Sequence, residues 1–508
     1  MDSFVHKHQD KITGILSCFD RMILKGHLPL GYPLAMEGFL DRQHIRIKDF
    51  PKLAKELSAT LKQHARELAE ETRRPVIPVS YQMRKEDHAR KLAQKDGITE
   101  GLVCIFTTQE ACSSFKIAYG IGRPRLVRSR PRCLVLYFYY LDPEFGLIHI
   151  RLPTWFPFTL QVYVNGHEWL ARQLRKQQLG FTPCDNAFLA VEDFVKAQKL
   201  ADQLCRFKWR RFLDALAKRV NPLLRGLLKG CQYYWVVDQA EFATDVLFKD
   251  RAHLQPLYRR LLEHATLALS AEDILSFLGK KLHPQLAAAV DTDCKKRPQG
   301  FRIKHRYGGN WLKRYDKFGQ VLRIEMVINQ PYVFKVCREG TCRGQRVRGW
   351  FPLTKNVSFL GRFAEVSRQA THRYLHALAV VEDPRVSAQV LDRACNAVPF
   401  QGQRRRALNP LSDQEQRLFL AVLRGEHLQR GFYARDIAPH LGLKPSQDPQ
   451  EQRRRSGRLG RQLQLLRAHG LIRKLPHTRR YRVTDQGFAF MSAAVHIRLR
   501  SFPADMAG

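Results

Sequence analysis

The last 108 residues constrain the fold of this 508-residue chain most, because they predict three helices followed by a β-hairpin. Ser412, with a glutamate three residues later, matches a capping box and begins the first helix. A second helix is predicted at 434–441 and a third at 451–469, each followed by a glycine that ends it. Strands at 471–475 and 479–483 then form the hairpin.

The third of these helices carries an apolar stripe and a separate basic stripe. Leu459, Leu463 and Leu466 recur at helical spacing and predict the buried face. From 401 to 508 there are 21 Lys and Arg residues against 8 Asp and Glu residues, so the module needs a polyanionic partner. The residues expected to contact DNA in this module are Arg454, Arg455, Arg458, Arg461, Arg479, Arg480 and Arg482.

Two short motifs in this module resemble the wing of the MarR-like winged-helix proteins. They lie at 470–473 and 481–487 and read GLIR and YRVTDQG. In that family the first motif closes the recognition helix and the second closes the wing. The resemblance implies a winged helix-turn-helix whose third helix enters a major groove while the hairpin contacts the flanking backbone. A protein-docking role for the module is the alternative.

Basic charge also extends through the rest of the chain. There are 86 Lys and Arg residues against 47 Asp and Glu residues, a net charge of +39. A protein this basic repels itself unless a polyanion screens it. DNA is therefore the expected partner, RNA is a second candidate, and an anionic membrane or another acidic partner is the alternative. The upstream basic runs lie at 123–132, 208–211, 295–306, 343–348 and 404–406.

The densest upstream run is predicted to be a loop between two strands. Arginines at this density are expected to contact a phosphate backbone, and a solvated loop is the alternative. Nearby aromatic residues at 137–140 and 155–158 either stack on exposed bases or form the core of a sheet. The binding residues expected in the loop are Arg123, Arg125, Arg128 and Arg130.

Several classes of protein are excluded by what the sequence lacks. The eleven cysteines include no CxxC pair, which argues against a zinc finger and suits reduced thiols in a cytoplasmic protein. The N-terminus has no signal-peptide core, and the longest apolar run, at 133–141, is shorter than a membrane span. The chain also lacks a Walker-type phosphate loop and a GxSxG elbow. The oligomeric state stays open.

Hydrophobic periodicity predicts an α+β multidomain protein. Helical patterns dominate residues 1–73 and 168–228, and strand patterns dominate the block between them and the segment 301–328. The predicted domains are a helical N-terminal region at 1–100, a β-sheet followed by basic helices at 101–230, a central α+β domain at 231–383, a linker at 384–411 and the winged helix at 412–508.

Three carboxylates of the central domain form a candidate catalytic site. Asp316 ends one predicted strand, Glu325 lies within the next, and Asp245 lies on an earlier strand. Carboxylates that converge from strands can bind Mg²⁺ or Mn²⁺, and such an ion assists phosphodiester cleavage. The alternative is a hairpin in which these carboxylates pair with Arg323 or neighbouring lysines.

The segment 313–325, which reads KRYDKFGQVLRIE, is similar to part of the rolling-circle replication initiators of phages and plasmids. In those proteins the segment follows an acidic strand, and a tyrosine attacks DNA. The resemblance implies a metal-dependent nuclease or a replication initiator. The chain departs from the family pattern, because in place of a His-hydrophobe-His metal pair it has only His6-Lys7-His8, and no tyrosine stands out as the nucleophile.

A second acidic set surrounds the end of a predicted strand at Asn165. Such a cluster either binds a metal, somewhat as in RNase-H-like nucleases, or favours helix N-termini electrostatically. Its members are His167, Glu168, Asp185, Asn186, Glu192 and Asp193, together with Asp142 on the preceding hairpin.

Together these patterns predict a nucleic-acid-binding protein of mobile-element type. Its C-terminal module is expected to dock duplex DNA, and its upstream basic domains are expected to grip further nucleic acid. The two alternatives are a metal-dependent nuclease or replication initiator and an RNA-binding ribonucleoprotein component.

Overall fold

The structure, a computed structural model, combines helices and strands, as expected for an α+β protein. Among the helices in the described part of the chain, none has both the length and the apolar character needed to cross a membrane. The structure describes residues 2–80, 82–120, 123–267, 269, 271–279, 290–297, 300–342, 344–379, 392, 394–424, 427, 431–443, 448–476, 478–496 and 498.

Helices and strands occur in alternating groups along the chain. The α-helices are α1 Asp2–Lys7, α2 Pro33–Arg42, α3 Phe50–Glu71, α4 Lys85–Lys95, α5 Gly166–Lys176, α6 Phe194–Gln203, α7 Trp209–Val220, α8 Arg251–Leu267, α9 Ala271–Phe277, α10 Leu360–Leu378, α11 Asp413–Val422, α12 Ala434–Ile437, α13 Pro449–Ala468 and α14 Asp485–His496. The β-strands are β1 Ile12–His27, β2 Val76–Pro78, β3 Gly101–Ala111, β4 Ser114–Ala118, β5 Arg125–Ser129, β6 Arg132–Asp142, β7 Gly146–Pro153, β8 Leu160–Asn165, β9 Phe181–Cys184, β10 Ala187–Val191, β11 Tyr234–Phe248, β12 Val290–Arg297, β13 Gly300–Tyr307, β14 Asn310–Lys317, β15 Val321–Ile328, β16 Lys335–Cys342, β17 Gln345–Pro352, β18 Val398–Phe400, β19 Gln403–Arg405, β20 Ile472–Lys474 and β21 Tyr481–Val483.

The chain divides into two compact units, each assembled from separate stretches. Unit 1 comprises Met1–Thr13, Phe248–Leu322 and Gln369–Gly508, and unit 2 comprises Gly14–Leu247 and Arg323–Arg368. The unit boundaries fall within β1, β11, β15 and α10, that is, inside regular elements. The domains predicted from the sequence are consecutive segments, whereas each of these units combines segments that are far apart in the chain.

Unit 2 contains a large sheet whose strands follow the order β15-β11-β1-β8-β7-β6-β3-β2. The neighbouring pairs from β1 to β3 are antiparallel, and β2 joins β3 in parallel. The hairpin turn predicted between β6 and β7 is present, with Asp142 opposite Gly146. The sheet is therefore mixed, and β1 and β11 lie in its interior rather than at its edges.

Strand β1 corrects the prediction that the first 73 residues are helical. It is sixteen residues long, pairs with β8, and is buried without interruption from Leu16 to Asp20. A segment that is buried on both faces lacks the period-two alternation that identifies half-exposed strands, so residues 16–20 carry no such signal. From Met22 to His27 buried and partly exposed residues do alternate.

Two hairpins were also missed. β9 and β10 pair between α5 and α6, inside the stretch that was predicted to be helical from 168 to 228. β16 and β17 pair after β15, where the sequence predicts no strand beyond residue 328. Strands of four or five residues provide little periodicity, and the residues of β17 are almost all exposed, so the second hairpin lacks an apolar face that would mark it.

In unit 1, β12, β13 and β14 form an antiparallel ladder, which confirms the strands predicted at 301–307 and 310–316. Arg314 on β14 is fully buried, and its guanidinium carbon lies 5.8 Å and 5.6 Å from the ring centres of Tyr258 and Tyr374. These cation–π contacts, with a 2.7 Å hydrogen bond from Nη2 to the carbonyl of Leu261, stabilise a charge away from water.

The C-terminal part of unit 1 packs α11 to α14 around one apolar core. Leu459, Leu463 and Leu466 of α13 point into it, as their spacing predicts. Ala394 and Leu408, from the segment expected to be a linker, are buried in the same core, and β18–β19 lies between them. The described end of that segment is therefore folded; its residues 384–391 and 393 lie outside the described residues.

Short polar contacts fix the ends of these helices. The Ser412 hydroxyl accepts a 3.3 Å hydrogen bond from the backbone N–H of Glu415, which is the predicted cap of α11. The Thr484 hydroxyl accepts a 2.9 Å hydrogen bond from the N–H of Gly487 at the start of α14. A Cβ on Gly487 would lie 1.8 Å from the carbonyl oxygen of Leu471, so only glycine allows this close approach.

We predict that Gly487→Ala destabilises the protein by about 1–3 kcal/mol or more, because the added methyl group overlaps a backbone carbonyl. Gly460→Ala in α13 is the matched control, since a Cβ there meets nothing within 4 Å and should stabilise the helix by up to about 1 kcal/mol. Urea denaturation gives both free energies of unfolding. Equal effects from the two substitutions would contradict the packing of α14 against Leu471.

Candidate functional site

Charged side chains meet where three neighbouring strands of the unit 2 sheet lie side by side. Neighbouring strands β15, β11 and β1 contribute five of them, and the start of α5 contributes a histidine. Residues two or four apart on a strand share a face, so each strand presents its charged residues together. These residues, which we call the acidic site, are Asp20, Glu241, Asp245, Arg323, Glu325 and His167, and all six are buried.

The strongest pairing in the acidic site joins Arg323 and Asp245. Arg323 donates from Nε to Oδ1 and from Nη2 to Oδ2, both at 2.6 Å. Burial alone would raise the pKa of Asp245, but the charge and hydrogen bonds of Arg323 outweigh it and hold that pKa at about 2. Nη2 also donates to the carbonyl of Asn186 at 2.7 Å. The pair is thus ionised and fixed in one orientation.

Amide side chains hold Asp20 in place. Asn186 donates from Nδ2 to Oδ2 at 2.7 Å, and Asn165 donates from Nδ2 to Oδ1 at 3.3 Å. Nη1 of Arg323 lies 3.5 Å from Oδ2 of Asp20 and 3.9 Å from Oε1 of Glu325. Asn165 also caps α5 by accepting from the backbone N–H of Glu168. The same residue therefore begins the helix and orients a carboxylate.

A glycine lets α5 approach β1 closely enough to bring His167 into the site. A Cβ on Gly166 would lie 2.3 Å from the carbonyl oxygen of Phe19. Next to it, Nδ1 of His167 is 3.4 Å from Oδ1 of Asp20, and Nε2 is 3.8 Å from Oδ2 of Asp245. His167 thus bridges the carboxylates of β1 and β11.

Three of the carboxylates converge most closely. Asp20, Glu241 and Glu325, which we call the carboxylate trio, each place one oxygen within 4.8 Å of the other two. Gln239 donates from Nε2 to Oε1 of Glu241 at 2.8 Å and steadies that side chain. Such a set of oxygens has the composition of a site for a hard divalent cation.

The structure brings together two of the three predicted catalytic residues, Asp245 and Glu325. Asp316 belongs to unit 1, where its Oδ1 accepts a 2.9 Å hydrogen bond from the N–H of Gly319 in the turn after β14. Sequence reasoning missed Glu241 and Asp20. Glu241 has a signal, because it interrupts an apolar strand four residues before Asp245, whereas Asp20 lies on a strand for which the sequence predicts a helix.

Some residues of the second predicted acidic set lie at the acidic site, and others form hydrogen bonds with nearby backbone groups. His167 and Asn186 lie in or beside the acidic site. Asp193 caps α6 by accepting from two backbone N–H groups, and Glu192 accepts from the N–H of Gly180 at 2.7 Å. Asp142 likewise accepts from two N–H groups of the hairpin that follows β6. Asp193 therefore has the helix-terminus role of the alternative explanation, whereas Glu192 and Asp142 accept from backbone N–H groups outside helices.

Most of the aromatic residues at 137–140 and 155–158 belong to a core. Phe138, Tyr139, Tyr140, Phe156 and Phe158 are all buried, which agrees with the alternative of a sheet core and not with stacking on exposed bases. Burial also raises the pKa of Tyr140 to about 12, so its hydroxyl stays protonated at neutral pH.

A basic surface lies on α13 and on the hairpin that follows it. The arginines at 454, 458 and 461 are exposed on one side of α13 while its leucines are buried on another. Arg479 and Arg482 are also exposed. Arg455 instead pairs with Glu451 at 2.8 Å, and Arg480 donates to the hydroxyl of Tyr433 at 3.2 Å. The first five arginines therefore face solvent, and the other two are held in contacts.

The arginine-rich segment of unit 2 is a two-stranded ribbon rather than a loop. β5 pairs with β4 in antiparallel register, and Leu126 in its middle is buried. The expected binding residues Arg123, Arg125, Arg128 and Arg130 are all exposed along this segment.

No protein-family model, curated protein or solved structure matches the chain.

We predict that Arg323→Met destabilises the protein by about 3–5 kcal/mol, because it leaves a buried carboxylate without its counter-charge. Arg84→Met is the control, since that side chain is 89% exposed and should change the free energy of unfolding by less than about 0.5 kcal/mol. Chemical denaturation compares the two variants. A decrease in the free energy of unfolding below about 1 kcal/mol for Arg323→Met would show that the pair does not stabilise the unit 2 sheet.

Proposed function

We propose that this chain is a nucleic-acid-binding protein whose C-terminal module is a winged helix that docks duplex DNA. In this proposal α13 is the recognition helix, β20–β21 is the wing, and α11 and α12 support them. The observation that carries it is the division of α13 into a buried leucine stripe and an exposed arginine stripe. A helix that is anchored on one side and cationic on the other suits a major groove.

The arrangement of charge on the hairpin supports the same proposal. Arg473 on β20 lies directly opposite Arg482 on β21, and both are exposed. Like charges at directly opposed positions of two strands destabilise the pairing. An anionic phosphate backbone beside the hairpin would relieve this repulsion, whereas a neutral protein surface would not.

Two ribbons of unit 2 support a second contact with nucleic acid. One is β4–β5, with its exposed arginines. The other is β16–β17, where Arg346 and Arg348 are exposed near Trp350, whose exposed fraction is 61%. Arginine beside an exposed aromatic ring is the combination that binds a phosphate backbone and stacks on a base. We propose that these ribbons grip the further nucleic acid.

Identifying the nucleic acid that copurifies with the protein is the most direct way to decide between DNA and RNA as its ligand. Sequencing of the nucleic acid that copurifies with the full chain should recover DNA if the winged helix dominates binding. Recovery of one RNA species would favour the RNA-binding alternative, because the same cationic ribbons also suit single-stranded RNA.

We predict that Arg454→Ala combined with Arg458→Ala weakens duplex binding and lowers the slope of log affinity against log salt by about two. Each arginine that contacts a phosphate releases about one counterion, so the slope counts the contacts that are lost. Fluorescence anisotropy between 50 and 200 mM salt, about the range over which such affinities change most, measures it.

Arg417→Ala is the control for this pair, because Arg417 is exposed on α11 of the same module and pairs with Asp413 of its own helix. Its slope should equal that of the wild type. A slope left unchanged by the double substitution would move the DNA contact away from α13.

The second candidate function is cleavage of nucleic acid by a metal-dependent nuclease. The specific observation in its favour is that Asp245 and Glu325 lie in one buried site together with Asp20 and Glu241. Carboxylates on neighbouring strands are a recurrent way to bind a cation that assists attack on a phosphodiester.

We predict for this candidate that labelled single- or double-stranded DNA is cut in the presence of Mn²⁺, and that Glu325→Gln lowers the rate by about 100-fold or more. Glu70→Gln, on the exposed side of α3, should leave the rate unchanged. Gel electrophoresis of the products measures both rates. Binding without cleavage by the wild type would remove this candidate and leave the DNA-docking proposal intact.

A further inference from the structure

The carboxylate trio concentrates negative charge where water cannot screen it. Asp20, Glu241 and Glu325 are 1%, 6% and 2% exposed, and their oxygens lie within 4.8 Å of one another. Carboxylates this close repel strongly at low dielectric. Arg323 supplies a nearby positive charge, since its Nη1 lies 3.5 Å from Asp20 and 3.9 Å from Glu325, but that charge is shared with Asp245, which accepts two hydrogen bonds from the same guanidinium.

The spacing of the oxygens fits a small divalent cation. In an octahedral site with metal–oxygen distances near 2.1 Å, adjacent ligands lie about 3 Å apart and opposite ligands about 4.2 Å apart. The limit of 4.8 Å within the trio is slightly wider than this range, so small side-chain movements would complete the coordination. The three ligands come from three adjacent strands, which hold them at nearly fixed positions.

A second observation comes from His167. This side chain is 4% exposed, and its Nε2 lies at hydrogen-bond distance, 3.1 Å, from Nη2 of Arg323. Within the described residues only the other ring nitrogen, Nδ1, makes no hydrogen bond. The atom lies 3.4 Å from Oδ1 of Asp20, so it is directed at the trio. A buried nitrogen without a hydrogen bond is costly, and a water molecule held by a cation would satisfy it.

We propose that Asp20, Glu241 and Glu325 bind one divalent cation, Mg²⁺ or Mn²⁺, in the acidic site of unit 2. All three ligands are hard oxygens, which these ions prefer and which disfavour soft metals. The Asp245–Arg323 pair and His167 surround the ion and orient its ligands, so they are positioning residues. The site goes beyond DNA docking and underlies the second candidate function.

Binding of Mn²⁺ to the full chain, stripped of metal with a chelator and free of nucleic acid, tests the proposal. The loss of the free-ion electron paramagnetic resonance signal counts bound ions. We expect one Mn²⁺ per wild-type chain, displaced by excess Mg²⁺, and an affinity at least tenfold weaker in Glu241→Gln. Glu70→Gln, exposed on α3 of the same unit, should bind like the wild type.

A second variant keeps the test decisive if Glu241→Gln does not fold. Glu325→Asp retains the charge and shortens the side chain by one methylene group, so it should fold and bind Mn²⁺ more weakly. The proposal is overturned if the wild type binds no Mn²⁺, or if both folded variants bind it as tightly as the wild type. Neither result tests DNA docking by α13. The salt dependence of duplex affinity tests that proposal separately.

Discussion

The buried pairing of Arg323 with Asp245 is the interaction on which the acidic site of unit 2 depends. It allows ionised side chains to stand on interior strands of a sheet, where an isolated charge would be too costly. Asn186 connects the pair to Asp20 by donating to that carboxylate and by offering its backbone carbonyl to Arg323. A purely structural core would be simpler with apolar residues here, which is why the site suggests chemistry or cation binding.

The clustered arginines, unlike the buried Arg314 and Arg323, lie on surfaces. The arginines of α13, of the hairpin β20–β21 and of the ribbon β4–β5 are mostly exposed, and each element is anchored by buried apolar residues such as Leu463 and Leu126. This separation of charge supports two proposed binding roles: the surface arginines bind phosphates, and the buried carboxylates bind a cation. The two proposals rest on different residues and stand or fall independently.

Local patterns predicted the parts of the molecule whose structure is decided locally. The cap at Ser412, the leucine stripe of α13 and the strands around 301–328 appear where the sequence places them. The sequence predicted only part of the acidic site. Asp245 and Glu325 lie on predicted strands, whereas Asp20 lies in a strand segment that is buried on both faces and was not predicted. Because β1, β11 and β15 are neighbours in the sheet, residues some 300 positions apart in sequence come into contact. Local sequence patterns do not encode such pairing.

The central claim is that the exposed arginines bind nucleic acid through its phosphates. The most direct test is the affinity of the full wild-type chain for a random duplex, measured as salt increases. We expect log affinity to fall linearly and steeply with log salt, with a slope equivalent to several released counterions. Absence of duplex binding, or an affinity that does not change with salt, would contradict the claim.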